Sequence, residues 1–461
     1  MHPKRSASAY QQMRVKRHVS GCNSHTFFNL LTSDRLLDEV ESLLPEHRER
    51  LFPPTETLSM FLSQVLSADG SCQSVVNETA IKRLVGGLAL CSTHTGAYCR
   101  ARQRLPMAMA STLVRHTGKL IASEAPKAWH WRGRPVRMVD GTTVSLPDTP
   151  ANQEVYPQPR SQKPGLGFPL CRLVGLLCLG SGAVLNSAVR PYRGKGGDEH
   201  SLLRPLLDSL EAGDILLGDA HYASYFLICE LQRRGVDVVF EQQGSRKRNT
   251  DFRKGVRLGQ RDHLIALRKP RKKPDWMGQA AYDSAPDTLV IRELKTGGKI
   301  LVTTLLCANE TPKEEVKNLY RSRWNVELDL RHIKTTLGME TLRCRTPEMA
   351  IKEIWVYLLA YNLIRLMMAQ AALLANKIPR QLSFKHTLQL WVFWGQRGPG
   401  ASEETLSLFF ALVAQQTVGN RPGRIEPRAV KRRPKQFPLL MKPRTTAREE
   451  VRKYGHPKKP K

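Results

Sequence analysis

The spacing of apolar residues divides the chain into a helical first part and a strand-rich middle. Between about Asp34 and Ser123, apolar side chains recur every three or four positions, as at Leu58, Phe61 and Val65. This period predicts amphipathic helices, interrupted at a Pro-Pro pair and an Asp-Gly pair. We therefore predict an all-helical region at the start of the chain.

The pattern changes to strands after residue 130. The predicted elements are, in order, strands at Val136–Leu146, Leu170–Leu179 and Ala183–Tyr192, a helix at Glu199–Leu210, a strand at Ile215–Gly218, a helix at Ser224–Arg234 and a strand at Val236–Glu241. Three antiparallel strands, then helix, strand, helix and strand, form the order of a ribonuclease-H-like α/β fold. The first and fourth strands are neighbours in that fold.

A basic segment separates these elements from the last strand. Residues Arg246–Lys273 hold 12 Lys and Arg against two acids, with strand-like pieces at Leu264–Leu267 and Leu289–Leu294. The composition favours a β-rich insertion that faces nucleic acid, and a disordered loop is the alternative. A strand at Ile300–Leu305 and a helix at Lys313–Met339 follow. Two apolar helices, Ile351–Leu373 and Leu382–Trp394, and a basic tail complete the chain.

The charge of the chain points to a polyanionic partner. The 461 residues carry 72 Lys and Arg against 41 Asp and Glu, a net charge of +31, which favours nucleic acid over a membrane. The apolar run Leu173–Leu185 is broken by glycines and is too short to span a bilayer, so we expect a soluble protein. Arginines at Tyr98–Leu105 could contact DNA phosphates or form a solvated face.

Several common site types are absent from the sequence. There is no GxSxG elbow or GxxxxGK[ST] loop, and Gly165 and Gly167 lack the third glycine of a dinucleotide loop. The nine cysteines contain no CxxC pair and are expected to be reduced thiols. Cys91, His94 and Cys99 have no evident fourth ligand for zinc.

Four residues of the predicted helix Lys313–Met339 share one face. Arg323, Glu327 and Lys334 follow Tyr320 by 3, 7 and 14 positions, which at about 100° per residue places all four within roughly 60°. A carboxylate between two cations and a phenol suits a metal and phosphates. A solvated face with an Arg323–Glu327 ion pair is the alternative.

Two aspartates can join Glu327. Asp140 lies in the first predicted strand, where an unpaired charge is costly, and Asp219 directly follows the fourth strand. Asp148 and Asp214 are rivals, but the first lies in a loop and the second at the opposite end of its strand. Three carboxylates suit two Mg²⁺ ions, or Mn²⁺, which would activate a water or a 3′-hydroxyl.

At these residues the chain resembles the insertion-sequence-four family of DDE transposases. Tyr320, Arg323, Glu327 and Lys334 match its Y-x2-R-x3-E-x6-K signature, and the segments around Asp140 and Asp219 match those of its two aspartates. The resemblance covers about Leu36 to Arg444 and includes the basic segment 431–435. It implies a DNA transposase that binds terminal inverted repeats, cleaves the element ends and joins the 3′-hydroxyls to target DNA.

The predicted layout follows from these assignments. It comprises a basic N-terminus (1–33), a helical DNA-end-binding domain (34–130), a ribonuclease-H-like catalytic domain (131–345, insertion about 242–298), C-terminal helices (346–396) and a linker with a basic tail (397–461). Tyr320, Arg323, Lys334, Arg246, Lys247 and Arg248 are predicted to bind DNA phosphates. We expect a cytoplasmic, nucleoid-associated homo-oligomer, a dimer in the synaptic complex. A catalytically silent repressor and a nuclease without strand transfer are the alternatives.

Overall fold

A computed structural model describes residues 51–67, 69–194, 196–395, 403–419 and 440–455. The predicted N-terminal segment 1–33, the beginning of the predicted helical domain, the linker 397–400 and the basic segment 431–435 lie outside the described residues.

Four helices open the described part of the chain: α1 (Pro54–Leu66), α2 (Cys72–Val85), α3 (Gly96–Arg104) and α4 (Met107–Ser123). Pro54 starts α1, where its missing N–H costs nothing, and the Ser71 side chain caps α2 by accepting the Ser74 N–H. The apolar faces of α1 and α4 share one core with a long C-terminal helix. A separate all-helical domain therefore stays a prediction.

The middle of the chain forms a nine-stranded sheet in the order β3-β2-β1-β4-β5-β9-β8-β7-β6. The strands are β1 (Val136–Ser145), β2 (Leu170–Cys178), β3 (Val184–Pro191), β4 (Ile215–Gly218), β5 (Asp237–Glu241), β6 (Val256–Gly259), β7 (Asp262–Arg268), β8 (Thr288–Thr296) and β9 (Lys299–Thr303). β1 pairs antiparallel with β2 and parallel with β4. This order is consistent with the expected ribonuclease-H-like core.

Apolar layers cover both faces of the central strands. Met138 and Val144 of β1 belong to the core that contains α4 and the long C-terminal helix, whereas Val139 belongs to the core on the other face. Since side chains alternate along a strand, successive residues of β1 face different layers. The helices between the strands are α5 (Pro150–Val155), α6 (Glu199–Leu203), which continues as a 3-10 helix (Arg204–Ser209), and α7 (Tyr225–Arg233).

The predicted insertion continues this same sheet. Strands β6 to β8 lie between β5 and β9 in sequence and pair antiparallel with one another, and β8 pairs with β9. Two short helices, α8 (Gly244–Asn249) and α9 (Gln279–Ser284), connect them. The first half of the basic run is therefore partly helical, and the predicted strands at Leu264–Leu267 and Leu289–Leu294 lie within β7 and β8.

The predicted continuous helix Lys313–Met339 is wrong. The structure divides it into α10 (Lys313–Arg321), α11 (Trp324–Arg331) and a π-helical turn (His332–Thr336). At the first break, the Arg323 N–H donates to the Tyr320 carbonyl at 3.0 Å, three residues back, instead of four. Such a tightened turn changes the angular spacing between residues on either side of it.

The remaining helices are α12 (Pro347–Leu374), α13 (Phe384–Gly395), α14 (Glu403–Gln415) and α15 (Arg444–Tyr454). By length and composition α12 could cross a membrane, but 83% of its most apolar window is buried inside the protein. It lies in the main core, against α4 and α1. Its apolar character is therefore explained by packing.

Candidate active site

Asp140 and Asp219 lie at the same edge of the sheet because β1 and β4 are parallel neighbours. The last paired residues of the two strands are Met138 and Leu217, and each aspartate follows its paired residue by two positions: Asp140 within β1 and Asp219 just after the end of β4. β4 consists of four buried residues, and the chain turns as soon as it leaves the sheet. In this turn the His221 N–H donates to Oδ1 of Asp219 at 2.8 Å. The prediction that the first and fourth strands are neighbours is confirmed.

Asp140 is largely buried, with a side chain that is 18% exposed, and it lies near other carboxylates. Its Oδ1 accepts the Gly141 N–H at 2.9 Å. Burial is the main cause that raises the pKa of Asp140, and the nearby carboxylates of Asp219 and Glu199 also raise it. Against the lowering effects of the Gly141 N–H and the Arg323 guanidinium, the net result is a pKa of about 6. The site therefore holds more negative charge than its own cation neutralises.

Arg323 joins the helix carboxylate to the first strand. Its Nη2 lies 2.9 Å from Oε1 of Glu327, and its Nη1 lies 3.6 Å from Oδ2 of Asp140. The Arg323 and Asp140 side chains are 14% and 18% exposed, so this pairing is largely shielded from water. The structure thus brings Glu327 and Arg323 to Asp140, with a guanidinium between the two acids.

The other two residues of the predicted face border this centre without contacting the three acids. Lys334, on the π-helical turn, donates to Oγ1 of Thr142 at 3.3 Å. Thr142 follows Asp140 by two positions and therefore points to the same face of β1. The Tyr320 hydroxyl instead donates to Oε2 of Glu241 at 3.4 Å. Its ring centroid lies 6.0 Å from the Arg323 guanidinium carbon, so Tyr320 borders the same centre from the side of β5.

The predicted cations of the insertion differ in their surroundings. Arg246 pairs through Nε with Oε1 of the buried Glu293 at 2.8 Å, and Nζ of Lys247 lies 3.4 Å from Oε1 of Glu241. Arg248 is exposed, and it forms no ion pair within the described ranges. Of the three, Arg248 is therefore the most available to an external phosphate.

Two acids near the site escaped the sequence-based reasoning. Glu241 ends β5, the neighbour of β4, and its oxygens pair with Lys299 at 2.7 Å and with Lys247 at 3.4 Å. The sequence could have indicated Glu241, because it is an acid at the end of a predicted strand, as Asp219 is. Glu199 reaches the site from α6, and the sequence offered no comparable signal because that contact depends on how α6 packs.

The rival aspartates have other roles. Asp214 is 1% exposed, and its Oδ1 lies 3.0 Å from Nε of Arg137, so it is part of a buried ion pair. Asp148 accepts a hydrogen bond from the Gln153 side chain at 2.8 Å. Neither is needed to complete the acid cluster around Asp140.

The donor chemistry of the site fits a hard divalent cation. Asp140, Asp219 and Glu327 offer carboxylate oxygens, the ligands that Mg²⁺ and Mn²⁺ prefer. Across the described residues, no group of three or more His, Cys, Asp and Glu side chains is already spaced to hold a metal ion. Arg323 stands between two of the acids, which shows that they attract a cation, and it would have to move for all three to bind one.

Comparison with known proteins places the site within a matched segment. The family model described as "Transposase DDE domain" matches residues 131–363, which include the three acids, Arg323 and Lys334. The chain is 29% identical over 357 residues to "Transposase InsG for insertion sequence element IS4" of Escherichia coli K12, covering 75% of this chain and 78% of that protein. It is 31% identical over 140 residues to "Putative transposase InsZ" of the same organism, covering 30% of this chain and 46% of that protein.

Proposed function

Because this chain belongs to the insertion-sequence-four family of DDE transposases, which are metal-dependent enzymes, we propose that it moves its own insertion sequence. In this proposal it binds terminal inverted repeats, cleaves the DNA at the element ends and joins the 3′-hydroxyls to target DNA. The observation that carries the proposal is the position of Asp140 and Asp219 on adjacent parallel strands, with Glu327 linked to Asp140 through Arg323.

Asp140, Asp219 and Glu327 would hold two Mg²⁺ ions, with Mn²⁺ as a substitute. Bound ions of this kind activate the attacking oxygen and stabilise the leaving oxygen. In the metal-free protein, Arg323 pairs with both Asp140 and Glu327 and offsets part of their negative charge. Once these acids take other partners, the guanidinium is free to bind a phosphate of the DNA near the cut.

Lys334 would hold the DNA backbone beside the acids. Its Nζ stands 3.3 Å from Thr142 Oγ1 and has no carboxylate partner within the described ranges. A lysine ammonium in this place can bind a phosphate oxygen as a point charge. Tyr320, which donates to Glu241, would support this region by fixing the end of β5.

The net charge of +31 supports a broad DNA-binding surface. We place Arg248 on that surface. Arg246 and Lys247 would join it when they release Glu293 and Glu241, their acidic partners. The binding of two element ends and a target implies a homo-oligomer, with a dimer in the synaptic complex. A soluble cytoplasmic protein that associates with the nucleoid fits this role.

Cleavage of labelled element-end DNA in Mg²⁺ tests the proposed function. Asp140→Ala, Asp219→Ala and Glu327→Ala should each abolish cleavage and strand transfer but keep DNA binding. Asp287→Ala serves as the control, because this aspartate is 98% exposed and lies away from the three acids. Any triad variant that cuts at the wild-type rate would remove that residue from the active site. Binding without cleavage by the wild type would favour a repressor, and cleavage without joined product would favour a nuclease.

A further inference from the structure

Glu199 brings a fourth carboxylate to the edge of the sheet where Asp140 and Asp219 meet. A Cβ atom added to Gly141 would lie 2.4 Å from Cδ and 2.5 Å from Oε1 of Glu199. The carboxyl group therefore occupies the space that a side chain at position 141 would fill. Any larger residue at 141 would displace it.

The geometry of β1 explains how Glu199 reaches this edge. Asp140 faces the layer that contains α11 and α12, and Gly141 faces the layer that contains α6 and α7, because side chains alternate along the strand. β4 pairs with β1 only up to Met138, so no strand covers this side of β1 at Asp140 and Gly141. Glu199 approaches this uncovered edge from the layer of α6, whereas Glu327 approaches it from the layer of α11 on the other face of the sheet.

The Glu199 carboxyl is held in place from two directions. The Asp198 side chain accepts the Ser201 N–H at 3.0 Å and fixes the start of α6. The hydroxyl of Tyr222, a fully buried residue, donates to Oε2 of Glu199 at 3.1 Å. Tyr222 belongs to the turn that follows Asp219, and its N–H donates to the Asp219 carbonyl at 3.3 Å. The turn that places Asp219 therefore also orients Glu199.

Glu199 differs from the other acids of the region in its charge compensation. Asp140 and Glu327 share Arg323, and Glu241 pairs with lysines. Within the described ranges, Glu199 forms no ion pair with a Lys, Arg or His side chain. Its fixed carboxylate adds an uncompensated negative charge beside Asp140, which is favourable when a divalent cation binds there.

We propose that Glu199 is a fourth oxygen donor of the metal site, acting with Asp140, Asp219 and Glu327. This inference rests on the proposed function, since it assigns a further residue to the same site. It also assigns a role to Gly141, whose missing side chain leaves room for the Glu199 carboxylate next to Asp140.

Binding of Mn²⁺ to the full chain without DNA, followed by the electron paramagnetic resonance signal of free Mn²⁺, tests the proposal. Glu199→Gln removes the charge but can still accept the Tyr222 hydrogen bond, and Gly141→Ala keeps the carboxylate but displaces it. Each should weaken Mn²⁺ binding by about 10-fold or more, as expected for the loss of a group next to a metal. Glu211→Gln is the control, because this exposed glutamate lies at the far end of β4 and should bind Mn²⁺ like the wild type.

Asp140→Asn separates the two levels of inference. If Asp140→Asn loses Mn²⁺ binding but Glu199→Gln and Gly141→Ala bind with wild-type affinity, the fourth donor is wrong and the proposed function stands. If Asp140→Asn also binds Mn²⁺ normally, the metal site itself is wrong. Circular dichroism and thermal melting establish that each variant is folded, and if one of the two test variants does not fold, the other decides.

Discussion

Asp140 should destabilise the folded protein at neutral pH when no metal is bound. Its pKa is raised from 3.8 to about 6, chiefly by burial. A group with a raised acid pKa binds its proton more tightly in the folded state, so the folded state loses stability as pH rises from about 4 to 6. We therefore expect Asp140→Asn to stabilise the metal-free protein and to abolish DNA cleavage. The wild-type aspartate would then lower stability but be required for activity.

The size of this effect follows from the two pKa values. A difference of about 2.2 units corresponds to about 3 kcal/mol at pH 7.5, and the same linkage relation gives about 1 kcal/mol at pH 4.5. Asparagine keeps the size of the side chain, and its carbonyl oxygen can still accept the Gly141 N–H. It loses the ion pair with Arg323, but that guanidinium retains Glu327 at 2.9 Å. The value of 3 kcal/mol is thus an upper bound, and a gain of about 1–3 kcal/mol is expected.

Thermal melting in EDTA at pH 7.5 and pH 4.5 measures the effect. The Tm of Asp140→Asn should exceed that of the wild type at pH 7.5, and the difference should shrink at pH 4.5. Asp287→Asn, at a position that is 98% exposed, is the matched control and should melt like the wild type at both values. Adding Mg²⁺ should raise the Tm of the wild type more than that of Asp140→Asn, because an ion that binds only the folded state stabilises it. A variant that melts at or below the wild type at pH 7.5, or shows the same gain at both pH values, would refute this account of Asp140.

Three further predictions concern charges around the site. Arg323→Gln and Lys334→Gln should lower cleavage but keep Mn²⁺ binding in calorimetry, because a cation does not ligate a metal. If either variant lost metal binding as completely as a variant of Asp140, Asp219 or Glu327, its proposed role in phosphate binding would be wrong. Arg248→Glu should reduce the slope of log affinity against log salt by about 0.9 or more without changing Tm. Arg246→Glu should lower Tm, because it removes the arginine partner of the buried Glu293 and puts a second acid beside it. If anisotropy and melting gave the two variants the same salt slope and the same Tm, this difference would be wrong. Asp329→Asn should lower the free energy of unfolding by about 3–5 kcal/mol in chemical denaturation, because this fully buried acid of α11 pairs with Arg365 and Arg380. A change below about 1 kcal/mol would show that these ion pairs contribute little to stability.

The strand order and the two aspartates could be predicted because they depend on local pattern. Alternation and apolar runs identified β1 to β5 within one or two residues of their ends. An acid that directly follows a short buried strand indicates where that strand reaches the edge of the sheet, whatever the position of the strand in the sheet. The prediction that Asp140 and Asp219 converge required only that the first and fourth strands be neighbours, which the pairing of β1 with β4 confirms.

The helix that carries Glu327 shows where local pattern stops being sufficient. An unbroken period of 3.6 residues placed Tyr320 and Lys334 on one face with Glu327. A tightened turn at 322–323 and a π-helical turn at His332–Thr336 change that spacing. Both departures shift backbone hydrogen bonds within helical dihedral angles, and neither contains a proline or glycine that would signal it in the sequence.

Arg102 illustrates the same limit for charged residues. The sequence left two interpretations for it, a contact with DNA phosphate and a solvated face. The structure excludes both in the folded chain, because Arg102 is 7% exposed. Its guanidinium donates to Oε1 of Gln64 at 3.1 Å and to Sγ of Cys72 at 3.1 Å. An arginine can be buried when its terminal nitrogens find acceptors inside the protein, as both do here.

The sequence by itself determined the types and order of most elements, the acids that end or occupy two neighbouring strands, and the spacing signature that relates the chain to its family. These features depend on residues close together along the chain. Only the tertiary structure decided which distant cation meets which acid: Arg323 with Asp140, Arg246 with Glu293, and Glu199 with no cation within the described residues. Such contacts join residues of different layers, and the packing of those layers depends on the whole core.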